Sequence, residues 1–549
     1  MKARRLSDPI LRVVFFATVF VIADIIAQTA EKGAVLTGKA AMGDWTSDAP
    51  GVMRKITVHD LPPPSSNALV INRARIVDRP PDAQPKVLPG FKIELYAAGF
   101  RDPRFLLTAP NGDIFVVESR ANQIKVLRDN NGDGKPDVTE TFAERNLNKP
   151  FGIAFYPPGD DPQFLYVANT DGVIRFPYQS GDLKARGPAQ ELAAHLSPGG
   201  LSRGGGHWTR CIVFSADGEK MYVSIGSRSN VSDNAAEENR ARIFEFNPDG
   251  TGQDVYAWGI RNAVGIAFRP GTNELWMSTN ERDEIGEDLP PDYISSLRPG
   301  GFYGWPWYYI GNHHDSRHKG KHPELADKVL VPDVLVQAHS ASLNLCFYIG
   351  DQFPSQYKGD IFAAFHGSWN RMKRTGYKVV RVPLDKSTGT VGGEYEDFVT
   401  GFIGPDGKVW GRPVGITVTK DGALLVSGDQ QDNLARQLRQ VKHSCGLFYV
   451  TCVFPAKRCP KQLSQGVNTK FFLRTGAISL DGFQAEIQVA GNLRCGTALA
   501  EQPKDFQLAI TQTFDGRLVG CLASCRSFYG DPVCDPFAHK HAAFEHAAD

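Results

Sequence analysis

Residues 264–281 read VGIAFRPGTNELWMSTNE. One apolar run, Val264–Phe268, is followed by the turn residues Pro270, Gly271, Thr272 and Asn273, and then by a second apolar run starting at Leu275. Short apolar runs bounded by turn residues are strands, and two joined this closely form a β-hairpin. The same unit recurs at Phe105–Ser119 (FLLTAPNGDIFVVES), Phe151–Asn169 (FGIAFYPPGDDPQFLYVAN), Cys211–Ser227 (CIVFSADGEKMYVSIGS), Leu343–Gly367 (LNLCFYIGDQFPSQYKGDIFAAFHG) and Val414–Asp429 (VGITVTKDGALLVSGD). A further strand follows most copies, at Ile124–Leu127, Val173–Pro177, Arg242–Asn247 and Tyr377–Pro383; others precede them, at Phe91–Ala98 and Asp254–Trp258. Four strands repeated six times predict an all-β, six-bladed β-propeller with four-stranded blades, spanning residues 91–432. Neither a sandwich nor a solenoid predicts irregular loops at one fixed point of the repeat. In a propeller those loops gather at the mouth of the central channel.

The rest of the composition agrees. Lys and Arg number 61 against 60 Asp and Glu in 549 residues, so bulk attraction to a polyanion is excluded and no nucleic acid partner is expected. A hydrophobic content of 42% with 22% charged residues excludes wholesale disorder. Lys2, Arg4 and Arg5 precede an apolar run, Val13–Ile26, which ends in Ala27-Gln28-Thr29-Ala30. This predicts a signal peptide over residues 1–30 and a periplasmic or secreted protein; an uncleaved anchor is the other reading. No later run approaches the length of a membrane span, so none is expected in the mature chain. Residues 31–90, with Pro62-Pro63-Pro64 and Pro80-Pro81, read as an extended arm with little core of its own.

Residues 433–549 stand apart. Seven of the nine cysteines lie there, from Cys445 to Cys534. The last blade needs an outer strand after Asp429, yet Asn433–Gln440 (NLARQLRQ) is polar and reads as strandless. Those residues can be encoded by bases that, in another frame, give Thr-Ile-Trp-Arg-Val-Ser-Tyr-Ala, an alternating strand. A shifted frame near Asp432 is one reading of this tail; a genuine disulfide-bearing extension of an exported protein is the other.

Several loops carry chemistry. Asp129, Asn131, Asp133, Asp137 and Glu140 occupy positions 1, 3, 5, 9 and 12 of an EF-hand-like calcium loop, with Gly134 at the sharp turn; the alternative is a solvated acidic turn. Asn280–Asp288 (NERDEIGED) is a second acidic loop, whose like charges call for a cation or basic partners unless they are fully solvated. Gly204-Gly205-Gly206-His207-Trp208-Thr209-Arg210 places an imidazole before the third hairpin, where glycines allow close approach of a ligand. His207 reads as a general base or as a structural histidine. Gly259-Ile260-Arg261-Asn262 takes the same place one blade later. The fifth blade offers His366-Gly367-Ser368-Trp369-Asn370-Arg371, and the sixth Trp410-Gly411-Arg412. A mouth lined by His207, Arg261, Arg371 and Arg412, with Trp208, Trp369 and Trp410 as stacking faces, suits a flat, polyanionic, aromatic ligand. Haem, Walker, zinc-protease and serine-hydrolase motifs are absent.

These motifs, in this order, resemble the glucose/sorbosone dehydrogenase family, nearest to the bacterial L-sorbosone dehydrogenase-like group. The likeness covers about residues 33–432 and rests on LPGFKIELYAAG, PFGIAFYPPG, GGGHWTR, GIRNAVGIAF, GGFYGWPWYYIG, HGSWNR and WGRPVGI. It implies an exported six-bladed propeller that uses pyrroloquinoline quinone (PQQ) and calcium to oxidise an aldose or sorbosone-like sugar, passing electrons to an acceptor such as a cytochrome or quinone. It implies that His207 is the base, and that Arg261 and Asn262 meet the cofactor, together with Arg412, Trp208 and either Arg371 or Lys373. It further implies a quinone-linked calcium near Glu281, Asp288 and Tyr303, with the carbonyls of Arg282 and Asp283. Arg282-Asp283 stands where the soluble glucose dehydrogenases carry Gly-Pro. A calcium-dependent sugar lactonase and a non-catalytic glycan- or protein-binding propeller are the rival readings.

Overall fold

The second strand of each predicted hairpin is apolar at nearly every position, where a strand with one wet face would alternate. In the computed structural model these strands are buried on both faces: Ile114–Glu118, Met221–Ile225, Leu275–Thr279, Ile361–Phe365 and Leu424–Gly428 are buried throughout. Sheet packed against sheet accounts for this. The structure describes residues 35–65, 70–196, 206–429 and 433–440, together with the short strands Ser479–Leu480, Phe483–Gln484, Ile510–Phe514 and Arg517–Cys521. The predicted signal peptide, Gly204 and Gly205 of the glycine run, and the tail cysteines other than Cys521 lie outside the described residues.

Residues 31–441 form one unit; residues 1–30 and 442–549 form another, in which two two-stranded hairpins are described. The first unit is an all-β propeller. Its first meander is Pro103–Thr108, Ile114–Glu118, Gln123–Arg128 and Val138–Ala143. The second is Ile153–Tyr156, Phe164–Ala168, Gly172–Pro177 and Gln190–His195. The third is Ile212–Phe214, Met221–Ile225, Arg242–Phe246 and Asp254–Trp258, extended by Gly301–Phe302; the fourth is Ala263–Phe268, Leu275–Thr279, Asp292–Ser296 and Val334–Val336. The fifth is Ser342–Phe347, Ile361–Phe365, Lys378–Val382 and Glu394–Val399. In the sixth sheet Pro413–Val418, Leu424–Gly428 and Asn433–Gln440 are joined by the early strand Phe91–Ala98. The leading strands of successive sheets touch in chain order, and that of the sixth returns to that of the first.

Two expectations change. Asn433–Gln440 is a strand, not a strandless segment: its backbone pairs antiparallel with Leu424–Gly428 on one side and with Phe91–Ala98 on the other. Two open ladders fix the backbone of whatever sequence lies between them. The arm, too, is more than an extended strap. Met53–Lys55 adds to the fifth sheet beside Glu394–Val399, Leu36–Thr37 adds beside it, and Ala41, Met42 and Ile56 are buried in the core. The arm is clamped by buried charge. Arg54 and Lys378 have no exposed side-chain surface; Arg54 lies 3.0 Å from Asp48 and 3.4 Å from Asp397, and Lys378 lies 2.8 and 2.6 Å from the same carboxylates. Two cations and two anions make a neutral set, so neither charge type is left uncompensated in the interior.

Candidate functional site

His207 lies just before the third sheet, held by four hydrogen bonds to backbone carbonyls. Its own N–H and its Nδ1 both reach the Ser227 carbonyl at 2.9 Å. Its carbonyl accepts from Arg210 and Arg240, each at 2.9 Å. Nδ1 facing a carbonyl must carry the proton, which leaves Nε2 as an unprotonated acceptor with no partner among the described residues. Burial, and next the positive charge of Arg261, push the imidazole down to about 3. Gly226 makes this packing possible: a Cβ there would stand 2.6 Å from His207 Cβ and 2.3 Å from Asn262 Oδ1. That amide oxygen is buried and has no hydrogen-bond partner among the described residues, while Asn262 Nδ2 donates to Asn280 Oδ1.

Arg261 is 6% exposed and bonded on all sides. It donates to the Glu281 carbonyl at 2.6 Å, to the Asn230 carbonyl and Oδ1, and to Asp283 Oδ2 at 3.0 Å. Asp283 also accepts from Asn370 Nδ2 at 2.7 Å and faces His339 at 3.6 Å. Burial opposes its ionisation, but Arg261 and then His339 outweigh that and hold the carboxyl down at about 2. His339 and Asn230 escaped the sequence reading. Neither sits in a glycine-rich or charged run, so no local signal marks them; only the fold brings both to Asp283.

The acidic residues expected around a quinone-linked calcium do not converge. Burial pushes the Glu281 carboxyl up to about 8; its neighbour is Asp292, itself raised to about 6 by burial, whose carboxylate accepts from the Glu281 N–H at 2.8 Å. Asp288 pairs with Arg371 at 2.7 Å. The Tyr303 hydroxyl donates to the Ser296 carbonyl. The Asp283 carbonyl already accepts from Asn230 and from Arg282, whose guanidinium also pairs with Asp315. Among the described residues no group of three or more His, Cys, Asp or Glu side chains is gathered closely enough to hold a metal ion. In the loop Asp129–Glu140, backbone N–H groups organise the carboxylates: Asp129 accepts from Gly132 and Gly134, Asp133 from Lys135, and Asp137 from Asn130 and Asn131. Glu140 turns outward to Lys184.

The remaining cations separate into two kinds. Arg371 braces backbone, donating to the Glu287 carbonyl at 2.6 Å and reaching those of Ala338 and Met42. Lys373 is mostly exposed and faces Asp44. Arg412 instead donates to His366 Nδ1 at 2.8 Å; His366 Nε2 donates to Asp429 at 2.7 Å, and Asp429 also pairs with Arg104. Arg104 lies 5.6 Å over the ring of Trp208. A chain of contacts thus runs from Trp208 through Arg104, Asp429 and His366 to Arg412. Trp410 is buried against Phe402, so it presents no stacking face, whereas Trp369 stays exposed.

The family model described as TrAA12-like matches residues 85–300 and 313–435. A protein of Borreliella burgdorferi is 28% identical over 365 residues, 64% of this chain and 90% of that protein. The pyrroloquinoline quinone-dependent pyranose dehydrogenase of Coprinopsis cinerea is 24% identical over 350 residues, 55% of this chain and 45% of that one. Among solved structures, the holo form of the pyranose dehydrogenase PQQ domain from Coprinopsis cinerea superposes with a TM-score of 0.54 at 20% identity, covering 67% of this chain and all of that domain. The calcium structure of the Trichoderma reesei family AA12 enzyme gives 0.54 at 19% identity, covering 67% of this chain and 99% of that one. At these identities the superpositions establish the shared fold, and the model match over more than half of the sequence establishes the lineage: the chain belongs to the TrAA12-like family.

Proposed function

We propose that this protein is an exported sugar dehydrogenase built on a six-bladed ring, oxidising an aldose or a related sugar with pyrroloquinoline quinone and handing the electrons to a cytochrome or quinone acceptor. The observation that carries the reading is His207, a neutral imidazole whose tautomer is fixed by the Ser227 carbonyl, whose Nε2 has no partner among the described residues, and whose Cβ shares the space over Gly226 with Asn262. The residues fit the quinone: an amide oxygen at Asn262 that is buried and unpartnered among the described residues, an arginine next to it in sequence, and Arg412, whose hydrogen-bond acceptors among the described residues are a neutral imidazole and a carbonyl. When bound, the quinone supplies the two-electron acceptor. The chain supplies the rest. His207 Nε2 accepts the proton of the sugar C1 hydroxyl, and its low basicity keeps it unprotonated throughout the neutral range. Arg261, fixed by four hydrogen bonds and paired with Asp283, holds that carboxylate and the Glu281 carbonyl in place near His207.

Calcium enters this proposal at the loop Asp129–Glu140, whose carboxylates, held here by backbone N–H groups and by Lys184, would have to regroup around the ion. The side chains of Glu281, Asp288 and Tyr303 do not fit a shared ion as they stand, and no step is drawn through one.

The test is reconstitution of the purified protein with the quinone and calcium, following quinone absorbance and dye reduction with a panel of aldoses and sorbosone. Reduction that requires the quinone is expected. His207→Ala should keep the quinone absorbance and lose turnover by about 10²–10⁴-fold; unchanged turnover would remove His207 as the base. Hydrolysis of a lactone without any quinone would replace the reading with the lactonase.

A further inference from the structure

The backbone that leaves the strand Met221–Ile225 carries the Ser227 carbonyl on which His207 rests, and one loop supplies charge of both signs to it. Two successive N–H groups, those of Arg228 and Ser229, donate to the two carboxylate oxygens of Glu237 at 2.7 and 2.6 Å. Two successive carbonyls, those of Gly226 and Ser227, accept from the Arg240 guanidinium, from Nε at 2.6 Å and from Nη2 at 2.9 Å. The anion meets the donors and the cation meets the acceptors, so all four bonds are charge-assisted and roughly twice as strong as neutral ones. Both Glu237 and Arg240 are buried, which keeps water from competing for them. Arg240 Nη2 also donates to the His207 carbonyl at 2.9 Å. The guanidinium therefore ties residue 207 to residues 226 and 227, the two segments between which the imidazole makes its bond to Ser227.

The loop is bent to do this. Glu237 ends the short turn Ala235–Glu237, and the residues on either side of Arg240 lie in the left-handed region, Asn239 at φ 59° and Ala241 at φ 54°. Asparagine tolerates that region, whereas the Cβ of an alanine makes it costly. Strain of this kind persists where the surrounding structure imposes it, and it gathers at functional sites. Gly206 gives the matching sign from the other segment. Its φ is +109°, and a Cβ on it would stand 3.0 Å from Arg240 Nη2 and 3.1 Å from Arg228 Cα. The last glycine before His207 thus makes room for this guanidinium.

We propose that Glu237 and Arg240 form a positioning clamp for His207. By fixing residues 226–229 against the backbone of residue 207, they hold the imidazole with Nδ1 protonated toward the Ser227 carbonyl and Nε2 bare. Neither side chain touches the reacting atoms. The effect of the clamp on turnover rests on the reading of His207 as the base; its effect on the imidazole does not.

The test is nitrogen NMR of the full chain carrying isotope-labelled histidine, with neither quinone nor calcium added, and with His207→Asn to assign the two ring nitrogens. The wild type should show one protonated and one bare nitrogen, with the proton on Nδ1. In Arg240→Gln, whose single amide nitrogen cannot span three carbonyls, the two signals should move toward each other as the tautomers mix. Glu237→Gln, which loses one of two carboxylate acceptors, should do the same to a smaller degree, and Arg242→Gln should not. With quinone added, Arg240→Gln should lose about 10²-fold in kcat with little change in the sugar KM, as a displaced base does. A folded Arg240→Gln protein with wild-type nitrogen signals overturns the proposal. So does a wild type with the proton on Nε2, or an equal change in Arg242→Gln. Loss of native circular dichroism in both clamp variants overturns it too, by making the pair a folding element. The nitrogen signals decide the clamp even where the wild type fails to turn over, a result that refutes the dehydrogenase alone.

Discussion

Gly226→Ala is the sharpest test of the His207 geometry. The added methyl would lie 2.3 Å from Asn262 Oδ1 and 2.6 Å from His207 Cβ. Carbon atoms in contact sit about 3.5–4.0 Å apart, so His207 must retreat by about 1 Å. It has little freedom to do so, because Ser227, Arg210 and Arg240 hold its backbone. Overpacking of this kind costs about 1–3 kcal/mol. In a chain of this size that lowers the melting temperature by a few degrees and leaves the protein folded. A displacement of about 1 Å at a reacting group costs on the order of 10²-fold in rate. The assay pairs thermal unfolding with quinone-dependent dye reduction. Gly187→Ala serves as the control, since its methyl would meet only Pro177 Cγ at an ordinary 3.6 Å. A folded Gly226→Ala protein with wild-type turnover would refute the reasoning: either the packing is looser than described, or His207 and Asn262 do not face the chemistry.

Acidification tests the burial of His207. The unfolded chain protonates it near 6.5 and the native chain only near 3, so below 6.5 the unfolded state binds the extra proton and native stability falls. His207→Asn, whose amide preserves the bond to Ser227, lacks that loss. The stability difference should move toward the variant by about 1.4 kcal/mol per pH unit between pH 6.5 and about 4, and a pH-independent difference would contradict a neutral buried His207. Asp429→Asn leaves Arg104 without its carboxylate, and a broken buried pair costs about 3–5 kcal/mol; chemical denaturation measures it, and a loss below about 1 kcal/mol would mean the pair is effectively solvated. Calcium should raise the melting temperature of the wild type but not of Asp129→Ala, and equal responses would remove that loop as the site. Sequencing the gene across codons 425–445 should reveal an inserted or deleted base relative to a frame encoding TIWRVSYA; if the frame is intact, thiol titration of the tail cysteines should instead find disulfides.

The fold was legible because each hairpin announces itself locally: an apolar strand, a turn, and a second strand buried on both faces. The arm was not legible. Its contribution to the fifth sheet rests on three residues, Met53–Lys55, and on pairings between Arg54 and carboxylates up to 343 positions away. The site was half legible. His207, Arg261 and Asn262 follow glycines that mark close approach, and they do meet. Asp283 was picked for its carbonyl, yet its carboxylate organises the site, and His339 and Asn370 reach it from distant loops. Glu281 and Asp288 are close in sequence but diverge in space, because the loop turns one toward Asp292 and the other toward Arg371.

The arginines illustrate how a partner already in place decides what a cation can do for a ligand. Arg371 has a carboxylate at 2.7 Å and four carbonyls within 3.5 Å. A ligand carboxylate there would replace one charge-assisted bond with another and leave Asp288 without its cation, so little is gained. Arg412 differs. Its acceptors are a neutral imidazole nitrogen and a carbonyl, and a bond to an ionised acceptor is roughly twice as strong as a neutral one. Exchanging His366 for a ligand carboxylate is therefore favourable at Arg412 and unfavourable at Arg371. His366 would keep its bond to Asp429 through the exchange. On this argument an anionic group settles against Arg412, between Tyr377 and the Trp208–Arg104 pair, and Arg371 remains a strut that fastens the arm.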